Sequence, residues 1–83
     1  MIQIWGKPNC PYCEKAKNTL DARQISYEYK QLDVDFTREE ILETFPGART
    51  FPQIVINGQK VGGYDQMMSY LENTGYNGTG FSL

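Results

Sequence analysis

The sequence contains no histidine and only two cysteines, which limits the metal chemistry that one chain can support. A structural zinc site takes four ligands, usually Cys or His, so a single copy of this chain cannot build such a site. No apolar run approaches the roughly 18 residues that predict a membrane-spanning helix. A basic segment followed by an apolar one, which would predict secretion, is missing from the N-terminus. We therefore expect a cytoplasmic protein that does not associate with membranes.

An excess of positive charge is also missing. The 83 residues include 8 Lys and Arg against 10 Asp and Glu, for a net charge of −2, which argues against a nucleic-acid binder. Hydrophobic residues make up 40% of the chain and charged residues 22%, a balance that predicts a folded domain rather than disorder. We expect a monomer with one domain over residues 1–72. A Gly- and Asn-rich tail follows over residues 73–83, in which Tyr76 and Phe81 are candidates to pack onto the domain.

The two cysteines, Cys10 and Cys13, are three residues apart. On a helix this spacing puts both on one face with their Cβ atoms roughly 5–6 Å apart. A disulfide needs about 3.5–4.5 Å, so a small adjustment would let the pair close. A purely structural pair and a metal site shared between two chains remain alternatives. Because a C-x-x-C motif without an export signal favours redox chemistry, we interpret the pair as a dithiol/disulfide switch.

The hydrophobic pattern predicts seven elements in the order β-α-β-α-β-β-α. The strands are predicted over residues 2–5, 26–34, 53–56 and 59–61, and the helices over residues 11–22, over residues 38–45 and from Asp65 onward. The alternation slips near Lys30, so a bulge or a shorter second strand remains open. Thr37 and Glu40 fit a capping box, and Asn57-Gly58 predicts a tight hairpin. The order implies an α/β fold: a four-stranded mixed sheet whose first two strands are parallel, with about three helices packed on it.

Cys10 lies where the first strand ends and the first helix begins. Only a thiolate attacks a disulfide, and the free N–H groups and dipole of a helix N-terminus favour a negative sulfur. Lys7 adds positive charge nearby, unless it is an ordinary solvated lysine. Cys13 lies one turn into the helix and is expected to be less exposed. We therefore predict that Cys10 attacks and that Cys13 resolves the mixed disulfide.

A second candidate segment is Thr50-Phe51-Pro52, because a proline at the start of a strand loses no ladder hydrogen bond. If the bond before Pro52 were cis, the backbone N–H and C=O of Phe51 would turn outward and could pair with an extended thiol peptide. The low frequency of cis bonds favours a trans proline from the sequence alone.

A third candidate segment is Gly62-Gly63-Tyr64-Asp65. The glycines allow close backbone approach, and a helix start at Asp65 offers N–H groups that can bind a carboxylate. Taken alone, the segment is more simply a turn that ends a strand, with Asp65 as the helix N-cap.

Taken together, the three segments resemble those of dithiol glutaredoxins. The matching residues are Cys10-Pro11-Tyr12-Cys13, Thr50-Phe51-Pro52 and Gly62-Gly63-Tyr64-Asp65. The resemblance implies a thioredoxin-like fold, a cis Pro52, no tightly bound cofactor and glutathione as the reductant. It also implies protein clients that contain disulfides, of which ribonucleotide reductase is a common one in the family.

The resemblance also assigns roles to residues around the cysteines. Cys10 would be the nucleophile and Cys13 the resolving thiol. The resemblance implies that a set of residues contacts glutathione along its sides and at its γ-glutamyl end. They are Lys7, Tyr12, Thr50, Phe51, Pro52, Gly63, Tyr64 and Asp65. The glycyl carboxylate would meet Arg38 or Arg49.

Two positions depart from the family pattern. Tyr64 replaces a third cysteine that many members carry, and this removes a regulatory thiol. Gln66 replaces a second acidic residue that many members carry. We expect this replacement to weaken binding of the glutathione amino group.

Two other functions are kept as alternatives. The first is a redoxin of the same fold that is reduced by a thioredoxin reductase. The second is an iron–sulfur carrier whose cluster is bridged between two chains by Cys10 and glutathione. Pro11 disfavours the carrier, because cluster-binding relatives usually have a smaller residue there.

Overall fold

A computed structural model describes residues 1–75 and contains the seven elements in the predicted order. They are β1 (Ile2–Gly6), α1 (Pro11–Ala22), β2 (Tyr27–Gln31), α2 (Arg38–Thr44), β3 (Gln53–Ile56), β4 (Gln59–Gly62) and α3 (Tyr64–Thr74). The sheet order is β2-β1-β3-β4. β1 and β2 are parallel, whereas β3 is antiparallel to both β1 and β4. The predicted four-stranded mixed sheet with three helices is confirmed.

One face of the sheet is covered by α1 and α3 and is mainly aliphatic. Ile4 of β1 lies opposite Ile54 of β3, and both side chains are fully buried. They belong to a cluster of strand and helix residues that also includes Ile2, Ala16, Leu20, Ile25, Ile56, Met67 and Leu71. Burying an aliphatic side chain of this size stabilises a fold by roughly 1.5–3 kcal/mol. This cluster therefore fixes α1, and with it the cysteines, on the sheet.

The opposite face is aromatic and packs against α2. Its buried residues are Phe36, Ile41, Phe45 and Val55, with Trp5, Leu32, Ala48 and Phe51 packed against them. The Trp5 ring lies 5.0 Å from that of Phe36 and 5.6 Å from that of Phe45, centroid to centroid. The ring of Phe51 stacks on Phe36 at 6.4 Å. Through these contacts the segment that precedes β3 is anchored to the sheet.

The capping box and the tight hairpin turn predicted from the sequence are confirmed. The Thr37 Oγ1 atom accepts a hydrogen bond from the Glu40 N–H at 3.1 Å, and the Glu40 carboxylate accepts one from the Thr37 N–H at 2.9 Å. Asn57 and Gly58 have positive φ values of 51° and 81°, as a two-residue turn between twisted antiparallel strands requires.

Strand β2 ends at Gln31, three residues before the predicted end. Of the two alternatives, a bulge or a shorter strand, the shorter strand is therefore correct. The Gln31 carbonyl accepts hydrogen bonds from the N–H groups of Val34 and Asp35 at 3.1 and 2.8 Å. Asp33 has a positive φ of 66°. This turn takes the chain out of the sheet and into α2.

The prediction that Asp65 caps α3 is wrong, because Gly63 is the N-cap and Asp65 lies in the first turn. The helix extends to Thr74, so it includes the first two residues of the predicted tail, and Gly75 follows with a left-handed φ of 67°. Tyr76 and Phe81 lie outside the described residues. Within residues 1–75, no helix is long and apolar enough to span a membrane.

Candidate active site

Cys10 and Cys13 are joined by a disulfide, with their Cα atoms 5.2 Å apart. Cys10 follows the loop that leaves β1, in which Asn9 has a positive φ of 56°. Cys13 faces the sheet and is fully buried, whereas Cys10 retains 6% exposure. The order in which the two thiols react stays a prediction.

The start of α1 points its backbone at the sulfur of Cys10. Cys10 is the N-cap of the helix and Pro11 occupies the first turn, where its missing N–H breaks no helical bond. The Cys13 N–H donates a hydrogen bond to the Cys10 Sγ atom at 3.2 Å. In the reduced protein the same N–H and the helix dipole favour negative charge on that sulfur.

A groove includes Tyr12 of the cysteine motif and brings together segments that are about 40 residues apart in sequence. Its lining comprises Tyr12, Thr50, Phe51, Pro52, Gly63, Tyr64, Asp65 and Gln66. The bond between Phe51 and Pro52 is cis, as the resemblance implied, and Pro52 is buried. Seven predicted contact residues thus line one surface, and Gln66 joins them.

Lys7 does not line this groove but lies near Phe51, one of its lining residues. Its Nζ atom lies 5.7 Å from the centre of the Phe51 ring, and no ion pair within residues 1–75 involves it. The charge of Lys7 is therefore available beside the groove wall.

The N-terminus of α3 forms the other end of the groove. The first N–H groups of a helix have no partner within the helix, and one of them is satisfied here by a side chain. The Gln66 Oε1 atom accepts a hydrogen bond from the Gly63 N–H at 3.0 Å. The Gln66 side chain also packs over Gly62, whose φ of +114° suits glycine. Gln66 thus shapes the backbone of the groove as a neutral cap, a role that the sequence comparison with acidic family members did not indicate.

Both candidate arginines line an adjacent pocket on the α2 side. Arg38 and Arg49 share it with Leu32, Ile41, Leu42, Ala48, Thr50 and Phe51. Since Thr50 and Phe51 line both surfaces, the pocket continues the groove. The structure brings both arginines near the site and does not select one over the other.

Lys15 and Thr19 of α1 are site neighbours that the sequence analysis missed. The Lys15 Nζ atom lies 4.9 Å from the centre of the Tyr64 ring, and the Tyr64 hydroxyl lies 3.4 Å from the Thr19 Oγ1 atom. These contacts join residues more than 40 positions apart, so no local pattern signals them.

Two tyrosines have displaced pKa values, and both lie on β2. Burial raises the pKa of Tyr27, and its hydrogen bond to Asp21 acts in the same direction. Burial also raises the pKa of Tyr29, against the opposing effect of the Lys17 charge. Neither residue lines the groove.

No group of three or more His, Cys, Asp or Glu side chains that could hold a metal ion occurs among residues 1–75.

Comparison with known proteins identifies one family. The sequence model of glutaredoxin matches residues 2–61. Glutaredoxin 3 of Escherichia coli is 33% identical over 66 residues, which cover 80% of each chain. Glutaredoxin 1 of Rickettsia conorii is 38% identical over 77 residues, covering 89% of this chain and 74% of the relative.

Solved structures are similar in fold. The crystal structure of a buckwheat glutaredoxin–glutathione complex has a TM-score of 0.72 and 26% identity, over 87% of this chain and 68% of that chain. Glutaredoxin 1 of Francisella tularensis, crystallised with cacodylate, has a TM-score of 0.74 and 22% identity, over 87% and 92% of the two chains. The fold is therefore thioredoxin-like.

Proposed function

The chain belongs to the glutaredoxin family and is a thiol–disulfide oxidoreductase, and we propose that glutathione is the reductant it uses. One observation carries the proposal: a groove lined by Phe51, Pro52 and Asp65 also includes Tyr12, which stands between the two cysteines of the disulfide in sequence. The buckwheat relative was crystallised with glutathione, which supports the assignment of the same ligand here.

The charges around the groove match those of glutathione, which carries two carboxylates and one amine at neutral pH. The free N–H groups at the start of α3 suit the γ-glutamyl carboxylate, and Asp65 suits the amine. Arg38 and Arg49 in the adjoining pocket suit the glycyl carboxylate. The backbone of Phe51, which lines the groove, then pairs with the cysteinyl unit, and this brings the glutathione sulfur next to Cys10.

The reaction on a protein disulfide begins with the Cys10 thiolate. It attacks one sulfur of the client, forms a mixed disulfide and releases the other client sulfur as a thiolate. Cys13, as a thiolate, then attacks the Cys10 sulfur, which releases the reduced client and forms the Cys10–Cys13 disulfide seen in the structure.

Two glutathione molecules restore the dithiol. The first attacks the Cys10 sulfur as a thiolate, so that Cys13 leaves and takes up a proton. The second attacks the resulting mixed disulfide, so that glutathione disulfide departs and Cys10 is free. The two electrons gained by the client thus come from two glutathione thiols. A glutathionylated substrate needs only Cys10, which accepts the glutathionyl group on its own sulfur.

The proposal is tested by supplying each reductant separately. The purified protein is given a disulfide substrate with either glutathione and glutathione reductase, or a thioredoxin reductase, and NADPH consumption is followed. We expect turnover with glutathione that depends on Cys10, and background rates with the thioredoxin reductase. The reverse pattern would show that the alternative redoxin is correct. We also propose that the protein acts in the cytoplasm, where glutathione keeps thiols reduced.

A further inference from the structure

Tyr12, Lys15 and Tyr64 form a cluster at the rim of the active site, here called the tyrosine–lysine cluster. The two rings lie 6.1 Å apart, centroid to centroid. The Lys15 Nζ atom lies 5.7 Å from the centre of the Tyr12 ring and 4.9 Å from that of Tyr64. Tyr12 stands between the two cysteines in sequence and is 56% exposed. The cluster therefore presents a large ring and a cation next to the reactive disulfide.

The charge of Lys15 has no acidic partner within residues 1–75. Glu14, the carboxylate next to it in sequence, pairs with Lys17 at 3.0 Å. The other ion pair of the described chain, between Lys30 and Glu28, lies on β2. The ammonium of Lys15 thus rests on two aromatic faces, and its hydrogen-bond donors remain available to a ligand.

The position of Lys15 favours a polypeptide over glutathione as its ligand. Lys15 does not line the groove, so a tripeptide held there meets Tyr12 and Tyr64 but not the ammonium. A protein client differs because its chain continues past the cysteine that is bonded to Cys10. A segment that leaves the groove across Tyr12 and Tyr64 comes within reach of Lys15.

We propose that Lys15 is a specificity-determining residue that selects protein clients with an acidic side chain close to the reactive disulfide. This rests on the proposed function. The attraction depends on charge, because Lys15 places a positive charge against the two tyrosine rings, while the chain as a whole has a net charge of −2. A basic client segment is repelled at this rim, whereas an acidic one gains an ion pair.

The test uses two peptides of equal length with the same internal disulfide, one flanked by Asp and Glu and the other by Lys. The ratio of their kcat/KM values is measured with the unsubstituted protein, Lys15→Gln and Lys15→Glu, at low and high salt. Lys17→Gln is the matched control. It removes a positive charge from the same helix, and that charge is paired with Glu14. Each peptide assay is run with glutathione and, separately, with dithiothreitol as the reductant.

We expect the unsubstituted protein to favour the acidic peptide by about two- to fivefold at low salt, the range of an exposed ion pair. The ratio should approach one in Lys15→Gln, invert in Lys15→Glu, and remain as it was in Lys17→Gln. High salt should reduce it in the unsubstituted protein. A ratio unaltered in both Lys15 variants would overturn the inference. Turnover of the peptides with dithiothreitol but not with glutathione would instead overturn glutathione use alone, and no turnover with either reductant would overturn both.

Discussion

The two halves of the active site are built in different ways. The cysteine half consists of four consecutive residues, from Cys10 to Cys13, at the junction of β1 and α1. The groove half is assembled from Thr50, Phe51 and Pro52 before β3 and from the start of α3. Reactivity is therefore encoded locally, by one helix N-terminus and one spacing. Recognition exists only after the sheet has brought distant segments together.

This contrast predicts that substitutions in the cysteine half change the chemical step, while those in the groove half change binding. The largest effect is expected for Cys10→Ser. A hydroxyl neither forms the mixed disulfide nor leaves from it, so turnover should fall to background on both protein disulfides and glutathione mixed disulfides. Steady-state rates on the two substrates provide the check, and comparable turnover in the variant would refute the assignment.

Cys13→Ser should separate the two activities. Without the resolving thiol, the mixed disulfide between Cys10 and a client persists, so most protein-disulfide reduction should be lost. Deglutathionylation should remain, because it proceeds on Cys10 alone. Assays with both substrates on one preparation measure the split, and an equal loss of both activities would speak against it.

Asp65→Asn is expected to raise the KM for glutathione while kcat stays close to its original value. An exposed charge pair contributes roughly 0.2–1 kcal/mol, so an increase of up to about fivefold is expected. Glu72→Gln is the matched control, because Glu72 lies on the same helix and does not line the groove. An equal KM for Asp65→Asn and the unsubstituted protein would remove Asp65 from the binding site.

Gln66→Ala should have the smallest effect on catalysis and a measurable one on stability. The variant loses the hydrogen bond that caps Gly63, at a cost of about 0.5–1 kcal/mol. For a domain of this size that corresponds to a fall in Tm of roughly 2–8 °C. Gln66→Glu keeps an acceptor at the same place and should retain most of the stability. A thermal melt in which both variants match the unsubstituted protein would show that the cap contributes nothing.

The sequence predicted the features that depend on neighbouring residues better than those that depend on contacts between distant segments. The bounds of α1 were predicted correctly because Pro11 and the spacing of Cys13, Ala16 and Leu20 are local signals. The Thr37 capping box and the Asn57-Gly58 turn were predicted for the same reason.

The errors arose where local signals competed or were silent. Leu32 and Val34 predict that the strand of Tyr27 and Tyr29 continues, but the hydrogen bonds to the Gln31 carbonyl end it early. Asp65 is a good N-cap residue, yet the N-cap lies two residues earlier, at Gly63, whose N–H is capped by the Gln66 side chain. The contact of Lys15 with Tyr64 depends on how α1 packs beside α3, which no short pattern specifies.

The order of the two thiols is the central claim, and the intact mass of Cys13→Ser after exposure to glutathione disulfide tests it most directly. The account predicts that the reduced variant gains one glutathionyl group, that peptide mapping locates it on Cys10, and that Cys10→Ser treated alike gains none. An adduct on Cys13 in the Cys10→Ser protein, with none on Cys10 in the Cys13→Ser protein, would contradict it.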